Sequence, residues 1–205
     1  MSRFDQVLTA NEAASVAKVP LKQVHRIIDA GLLAGSVKNR KGTRVILGTG
    51  IVGLKLAYVT ADILTPDARR RVVRSVLRKP KLRAVRESAV IIDLEPIASS
   101  VRDGLGELDR ARKMIVSDKE ILGGAPCFKG TRIPVHDIAD MIGNGDPKAE
   151  ILKAFPVLNG EQVDAAAIYA AAYPRRGRPR RRPAWHRKPP SSSRRLGPGD
   201  LPPDS

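Results

Sequence analysis

The chain has 205 residues, enough for one large domain or two small ones, and 42% of them are hydrophobic, enough for a packed core. Aromatic residues make up only 3%, so that core must be built from Val, Ile, Leu and Ala. The formal net charge of +16 favours a polyanionic partner, while the single cysteine, Cys127, excludes an internal disulfide and points to a reducing compartment.

No stretch approaches the roughly 18 apolar residues of a membrane span, and the N-terminus lacks the apolar core of a signal peptide. The expectation is a cytoplasmic protein that does not enter a membrane. In chain order, the first element is "LTANEAASVAKVPLKQVHRIIDAGLL", residues 8–33. Thr9 and Glu12 have the spacing of a capping box, and Ala13, Ala14 and Ala17 give the first helix a small apolar face. Pro20 suits the first turn of a second helix. Val24, Ile27 and Ile28 share one face of that helix, and Gly31 ends it. Two short helices with a tight break form a helix-turn-helix. The strand-like "LLAGSV", the basic turn "KNRKGTR" and the strand "VIL" then predict a hairpin wing carrying Lys38, Arg40, Lys41 and Arg44.

Residues 8–47 resemble the DNA-binding head of MerR regulators and phage excisionases: Leu-Thr, an Ala-rich helix, a turn, a helix ending Ile-x-x-Gly-x-Leu, and a basic wing. The turn departs from that pattern, with Lys18-Val19-Pro20 in place of Gly-Val-Ser. Lys22, Gln23, His25 and Arg26 occupy the polar face of the second helix. That face is either a solvated helix surface or the surface that reads base edges, for which Gln and Arg are well suited.

"GTGIVG", residues 48–53, matches a dinucleotide-binding fingerprint literally, but no βαβ unit follows it. The expectation is a loop and a helix start. A helix with Thr65 as cap and Pro66 at its first position carries Arg69, Arg70, Arg71, Arg74, Arg78 and Lys79 against Val72, Val73, Val76 and Leu77. It fits a DNA backbone or a dimer interface equally. "SAVIIDL", 88–94, predicts a strand, "EPIASSVRDGLGELDRARK" a polar helix with an interior glycine pair, and "MIVSD", 114–118, another short strand.

"GGAPCFKGTRIPV", residues 123–135, opens the last segment. A phosphate loop would need G-x-x-x-x-G-K-[ST]; here the order is Lys129-Gly130-Thr131, and Pro126 removes an amide donor. As scaffold, Gly124 and Gly130 allow tight turns, Thr131 caps toward the helix that Pro134 opens, and Arg132 bonds free carbonyls. Alternatively, Lys129 and Arg132 also touch a partner. Three short helices follow: Val135, Ile138, Met141 and Ile142 on one; Ile151, Leu152 and Phe155 on the next, capped by Asp146; and a third capped by Asn159.

Residues 115–174 resemble a prokaryotic family of unknown-function domains with the pattern G-x-P-x-x-x-G-T-R-I-P-V, matched here by Gly124, Pro126, Gly130, Thr131, Arg132 and Pro134. Members are commonly antitoxins encoded beside toxins of PIN-like nuclease fold. Joined to a MerR-like head, the chain resembles VapB-type antitoxins. The resemblance implies operator-DNA binding and neutralisation of a ribonuclease, with a homodimer or a hetero-oligomer with the toxin as the working form.

No His, Cys or carboxylate set has metal-ligand spacing, and no catalytic constellation stands out; the expectation is no enzyme, no metal and no cofactor. Residues 174–205 carry ten Lys/Arg against two Asp in a Pro-, Ser- and Gly-rich setting, a composition that predicts disorder. Arg175, Arg176, Arg178, Arg180, Arg181 and Arg182 fit the carboxylates of a nuclease metal site. Alternatives for the tail are non-specific DNA contact, or a read-through frame with no selected role. The expected organisation is mainly α with short β-strands: a winged helix-turn-helix and following helices over 1–80, a connecting strand and helix over 81–113, a second helix-turn-helix-like domain over 114–174, and a disordered basic tail over 175–205. An alternative function is a stand-alone MerR- or excisionase-like regulator. A scaffold in which both helical bundles bind protein is a further one.

Overall fold

The computed structural model describes residues 6–175. The Thr9–Glu12 capping box forms as the spacing predicts: the Thr9 hydroxyl accepts from the Glu12 amide, and the Glu12 carboxylate accepts from the Thr9 amide at 2.7 Å. It starts α1 (Ala10–Ala17), which ends on Lys18 in the left-handed region. α2 (Leu21–Asp29) follows, with Pro20 one position earlier than expected, as the N-cap residue. Its Val24, Ile27 and Ile28 are buried.

A short strand before the capping box, β1 (Val7–Thr9), joins β2 (Val37–Arg40) and β3 (Thr43–Leu47) in an antiparallel sheet of order β1-β3-β2. The β2–β3 turn is Lys41-Gly42, both with positive φ (50° and 77°), the geometry that a two-residue hairpin demands. The "LLAGSV" run is not a strand until Val37. Gly31 and Gly35 adopt φ of 68° and 86°, which breaks an extended run, and Leu32 and Leu33 both turn into the core.

"GTGIVG" is helix from its first residue: α3 (Gly48–Val59) has no preceding loop. Two of its glycines serve packing. A Cβ on Gly50 would lie 2.7 Å from Ser36 Cβ, and one on Gly53 would lie 2.9 Å from Leu77 Cδ2. α4 (Pro66–Arg78) has the predicted Thr65 cap and Pro66 at its start. β4 (Ala84–Glu87) and β5 (Val90–Asp93) form a hairpin. α5 (Glu95–Met114) is not a polar surface helix. Its Val101, Leu105, Leu108 and Ala111 are completely buried, and only the opposite face is polar.

β6 (Ile115–Ser117) pairs with β7 (Pro126–Phe128), and α6 (Val135–Asn144), α7 (Lys148–Ala154) and α8 (Gly160–Ala172) complete the described chain. Asn159 caps α8 in a full capping box with Gln162. Asp146 does not cap α7; Pro147 is the N-cap residue, with no side-chain bond to the helix. The fold is mainly helical with short strands, as the sequence predicts.

Two hydrophobic clusters form. The larger is built from α1 to α5; the smaller contains Phe128, Val135, Ile138, Ile151, Leu158, Val163 and Ala166. α8 serves both, with Ile168, Ala172 and Tyr173 on the larger and Val163, Ala166 and Tyr169 on the smaller. Residues up to Pro174 group as a single unit. Of the tail arginines, Arg175 is exposed, while Arg176, Arg178, Arg180, Arg181 and Arg182 lie outside the described residues, as does the predicted disorder of that segment. No helix among the described residues is long and apolar enough to cross a membrane.

Candidate nucleic-acid interface

α2 is amphipathic and held from behind by α1 and α3, so its outer face is fixed in orientation. That face exposes Lys22 and Arg26 and leaves Gln23 and His25 half-buried. Beside it stands the β2–β3 wing. Lys38 and Arg40 lie two apart on β2, hence on one face, and Lys41 sits at the tip; all three are exposed. Lys22, Arg26, Lys38, Arg40 and Lys41 carry no ion pair among the described residues. Arg44 differs. Its guanidinium pairs with the Asp29 carboxylate at the end of α2. Arg44 therefore braces the wing against the helix, a positioning role that spacing alone did not reveal.

The "GGAPCFKGTRIPV" corner connects β7 to α6 and meets its own backbone needs. The Thr131 amide and hydroxyl both donate to the Phe128 carbonyl at 3.0 Å, and the Ile133 amide donates to the Thr131 hydroxyl at 3.1 Å. The Phe128 amide donates to the Ile133 carbonyl, and the Lys129 amide to the Met114 carbonyl at 2.8 Å. Gly124 and Gly130 have φ of 88° and 78°, conformations glycine adopts without strain. Pro126 begins β7, and Pro134, the N-cap residue of α6, forms a bridge with Cys127. Cys127 and Phe128 are buried, and burial pushes the Cys127 thiol above its ordinary value. Thr131 does not cap α6; it staples the loop to β7 instead. The side chains of Lys129 and Arg132 are exposed and make none of the bonds that hold the corner, so Arg132 does not bond free carbonyls among the described residues. Thr131→Val is expected to cost about 1 kcal/mol, because the shape stays and hydrogen bonds go. Urea denaturation measures it, and an unchanged midpoint would show the staple to be dispensable.

The seam between α1, α5 and α8 holds a polar network. Arg112 donates to Glu12 Oε1 at 2.7 Å and to the Tyr173 hydroxyl at 2.7 Å; Tyr173 donates to Glu12 Oε1 at 2.5 Å. Arg112 also reaches Gln6 Oε1 at 3.2 Å, and Gln6 donates to Asp109 at 2.9 Å. His136 Nε2 lies 2.8 Å from the Tyr173 carbonyl. Burial pushes the Glu12 carboxyl up, but bonds from Tyr173, the Thr9 amide and Arg112 outweigh it and hold it below the usual 4.5. The Tyr173 hydroxyl is pushed up to about 12, first by burial and then by its bond to Glu12. The capping-box Glu12 was legible as a cap, but not as the anchor of this network. Among the described residues, no group of three or more His, Cys, Asp or Glu could hold a metal ion.

Residues 115–170 match the model of a protein family of unknown function, DUF433. Over 193 residues the chain is 32% identical to the uncharacterized protein y4eO of Sinorhizobium fredii, an alignment that covers 88% of this chain and 87% of the relative. The chain belongs to the y4eO family. No solved structure matches it. In this y4eO-family chain the DUF433 segment begins at β6 and ends within α8, so it contains the whole corner, α6, α7 and most of α8. The winged helix-turn-helix lies outside that segment. The full-length likeness to y4eO spans both.

Proposed function

We propose that this chain is the antitoxin of a type II toxin–antitoxin pair, which binds the operator DNA of its own operon and neutralises a PIN-like ribonuclease. The observation that carries the DNA-binding half is the outer face of α2, with Lys22, Gln23, His25 and Arg26, set beside a wing whose Lys38, Arg40 and Lys41 have no acidic partner among the described residues. A helix of this kind fits the major groove, where Arg and Gln match guanine and adenine edges, and the wing meets the flanking phosphates. One short helix reads few bases, so a dimer on paired half-sites is the expected working form. The neutralising half rests on the DUF433 match and on the likeness of the GTRIPV segment to antitoxins. Arg175 and the arginines after it suit the carboxylates of a nuclease metal site.

A second reading is a stand-alone regulator of the MerR or excisionase kind. It is favoured by the corner's internal satisfaction and by α8, which packs on α1 and α5 and leads into Tyr173 of the Glu12–Arg112–Tyr173 network; residues 115–170 would then be a structural part of the DNA-binding head.

The test of the DNA half is binding to the chain's own promoter fragment across a salt series. Lys38→Ala/Arg40→Ala/Lys41→Ala is expected to weaken binding roughly tenfold and to lower the log–log salt slope by about 2–3. An unchanged slope would mean that the wing does not touch phosphate.

A further inference from the structure

α4 is an arginine-rich helix that fits two roles on sequence grounds, a dimer helix or a nucleic-acid backbone contact. Its packing separates them. Ala68, Val72, Val73 and Val76 are buried within the chain, and Leu77 is packed against Gly53 of α3, so no apolar stripe remains for a partner helix. The polar residues divide as well. Arg71 is engaged by Glu87 of β4. Arg70, Arg74 and Arg78, spaced four apart, share the other flank and form a row about 12 Å long. Arg74 and Arg78 are exposed and carry no ion pair among the described residues, and Arg70 has only a loose one to Asp67 at 3.9 Å.

This row lines one wall of a groove of about 370 Å³. The other wall is Gly31–Ser36, the segment that links α2 to β2. The groove therefore adjoins both the helix and the wing of the candidate interface. Gly31 and Gly35 have open space where a side chain would stand, which leaves room on that wall for a chain of anions. We infer that the groove between α4 and the Gly31–Ser36 segment is a second phosphodiester-backbone clamp, holding the nucleic-acid strand that flanks the wing. This rests on the DNA-binding reading and extends its footprint beyond the helix-turn-helix. Guanidinium forks match phosphate oxygens bidentately, and a row along a helix meets consecutive phosphates of one strand. These contacts position the protein and do not read sequence.

The experiment uses the full chain and its promoter fragment. Arg74→Ala/Arg78→Ala is expected to lower the log–log salt slope by about 2 and to weaken promoter and unrelated DNA by the same factor. Arg71→Ala, on the opposite flank, should leave the slope unchanged. Arg74→Gln/Arg78→Gln keeps the stems and is expected to give the same slope, which guards against a folding artefact; thermal melts of each variant check this. A wild-type slope in both double variants, with wing variants still lowering it, overturns the clamp. Loss of a co-expressed protein partner with DNA slopes unchanged also overturns it, in favour of an acidic protein surface. If the wild type binds no promoter DNA at all, the DNA-binding reading itself falls, an outcome distinct from failure of the clamp alone.

Discussion

Replacing Gly104 with alanine is expected to destabilise the protein by about 3 kcal/mol, at the upper end of ordinary overpacking. Intrinsic helix propensity argues the other way, since alanine is favoured over glycine by about 1 kcal/mol within a helix. Contact decides the sign. A Cβ at position 104 would lie 2.3 Å from the Val16 carbonyl oxygen and 3.0 Å from its carbon, both backbone atoms that cannot rotate away. α1 would have to retreat from α5. α1 carries the capping box and supports α2, so the retreat would also misplace the outer face of α2 and weaken DNA binding. Gly143→Ala is the matched control. Gly143 lies in α6 with nothing within 4 Å, so alanine there should stabilise by about 0.5–1 kcal/mol. Urea midpoints at constant slope measure both. A stabilised Gly104→Ala would refute the close approach of α1 to α5.

Arg112→Met is expected to cost about 2–3 kcal/mol at neutral pH. Removing one partner of a buried pair leaves an uncompensated charge, typically worth about 3–5 kcal/mol. Arg112 is only partly buried, with 32% of its side chain exposed, which lowers the figure. The variant strips Glu12, only 7% exposed in the wild type, of one of its bonds. In the wild type the folded Glu12 carboxyl sits below its unfolded value of 4.5. Its stabilisation is therefore present above that pH and fades as pH falls through the lower folded value. In the variant the folded carboxyl rises. The gap between wild type and variant should thus be full at pH 7 and shrink below about pH 4.5. Denaturation at pH 7 and pH 4 checks this; a gap that grows on acidification would contradict the account of Glu12.

Much of the helical fold was legible because its signals are local. Thr9 with Glu12, Thr65 with Pro66, and Asn159 each mark a helix start within four residues. The buried faces of α2 and α6 follow from spacing alone. The failures are non-local. α5 reads as polar because Arg, Asp and Glu crowd its outer face, and its buried side exists because α1, α3 and α8 pack on it. β1 is three residues long and exists because β3 lies beside it. β4 is only four residues long and ends in Arg86 and Glu87, which hides its pairing with β5. "GTGIVG" is helix because Gly50 and Gly53 pack against Ser36 and Leu77, not because glycine favours a helix. The candidate interface divides similarly. The basic face of α2 and the wing lie close in sequence and were visible. The Arg44–Asp29 brace spans a hairpin, the Arg112–Glu12 pair joins residues 100 positions apart, and the groove under Arg70, Arg74 and Arg78 needs the fold to bring α4 to the Gly31–Ser36 segment.

The central claim is that this chain restrains a nuclease encoded beside it. The most direct measurement is to express the chain with its operon neighbour, tag this chain alone, and assay the purified product. The account predicts a stoichiometric partner with RNA-cleaving activity that is silent in the complex and returns once this chain is removed. Recovery of this chain without a partner, while it still binds its promoter, would contradict the antitoxin account and leave the stand-alone regulator in its place.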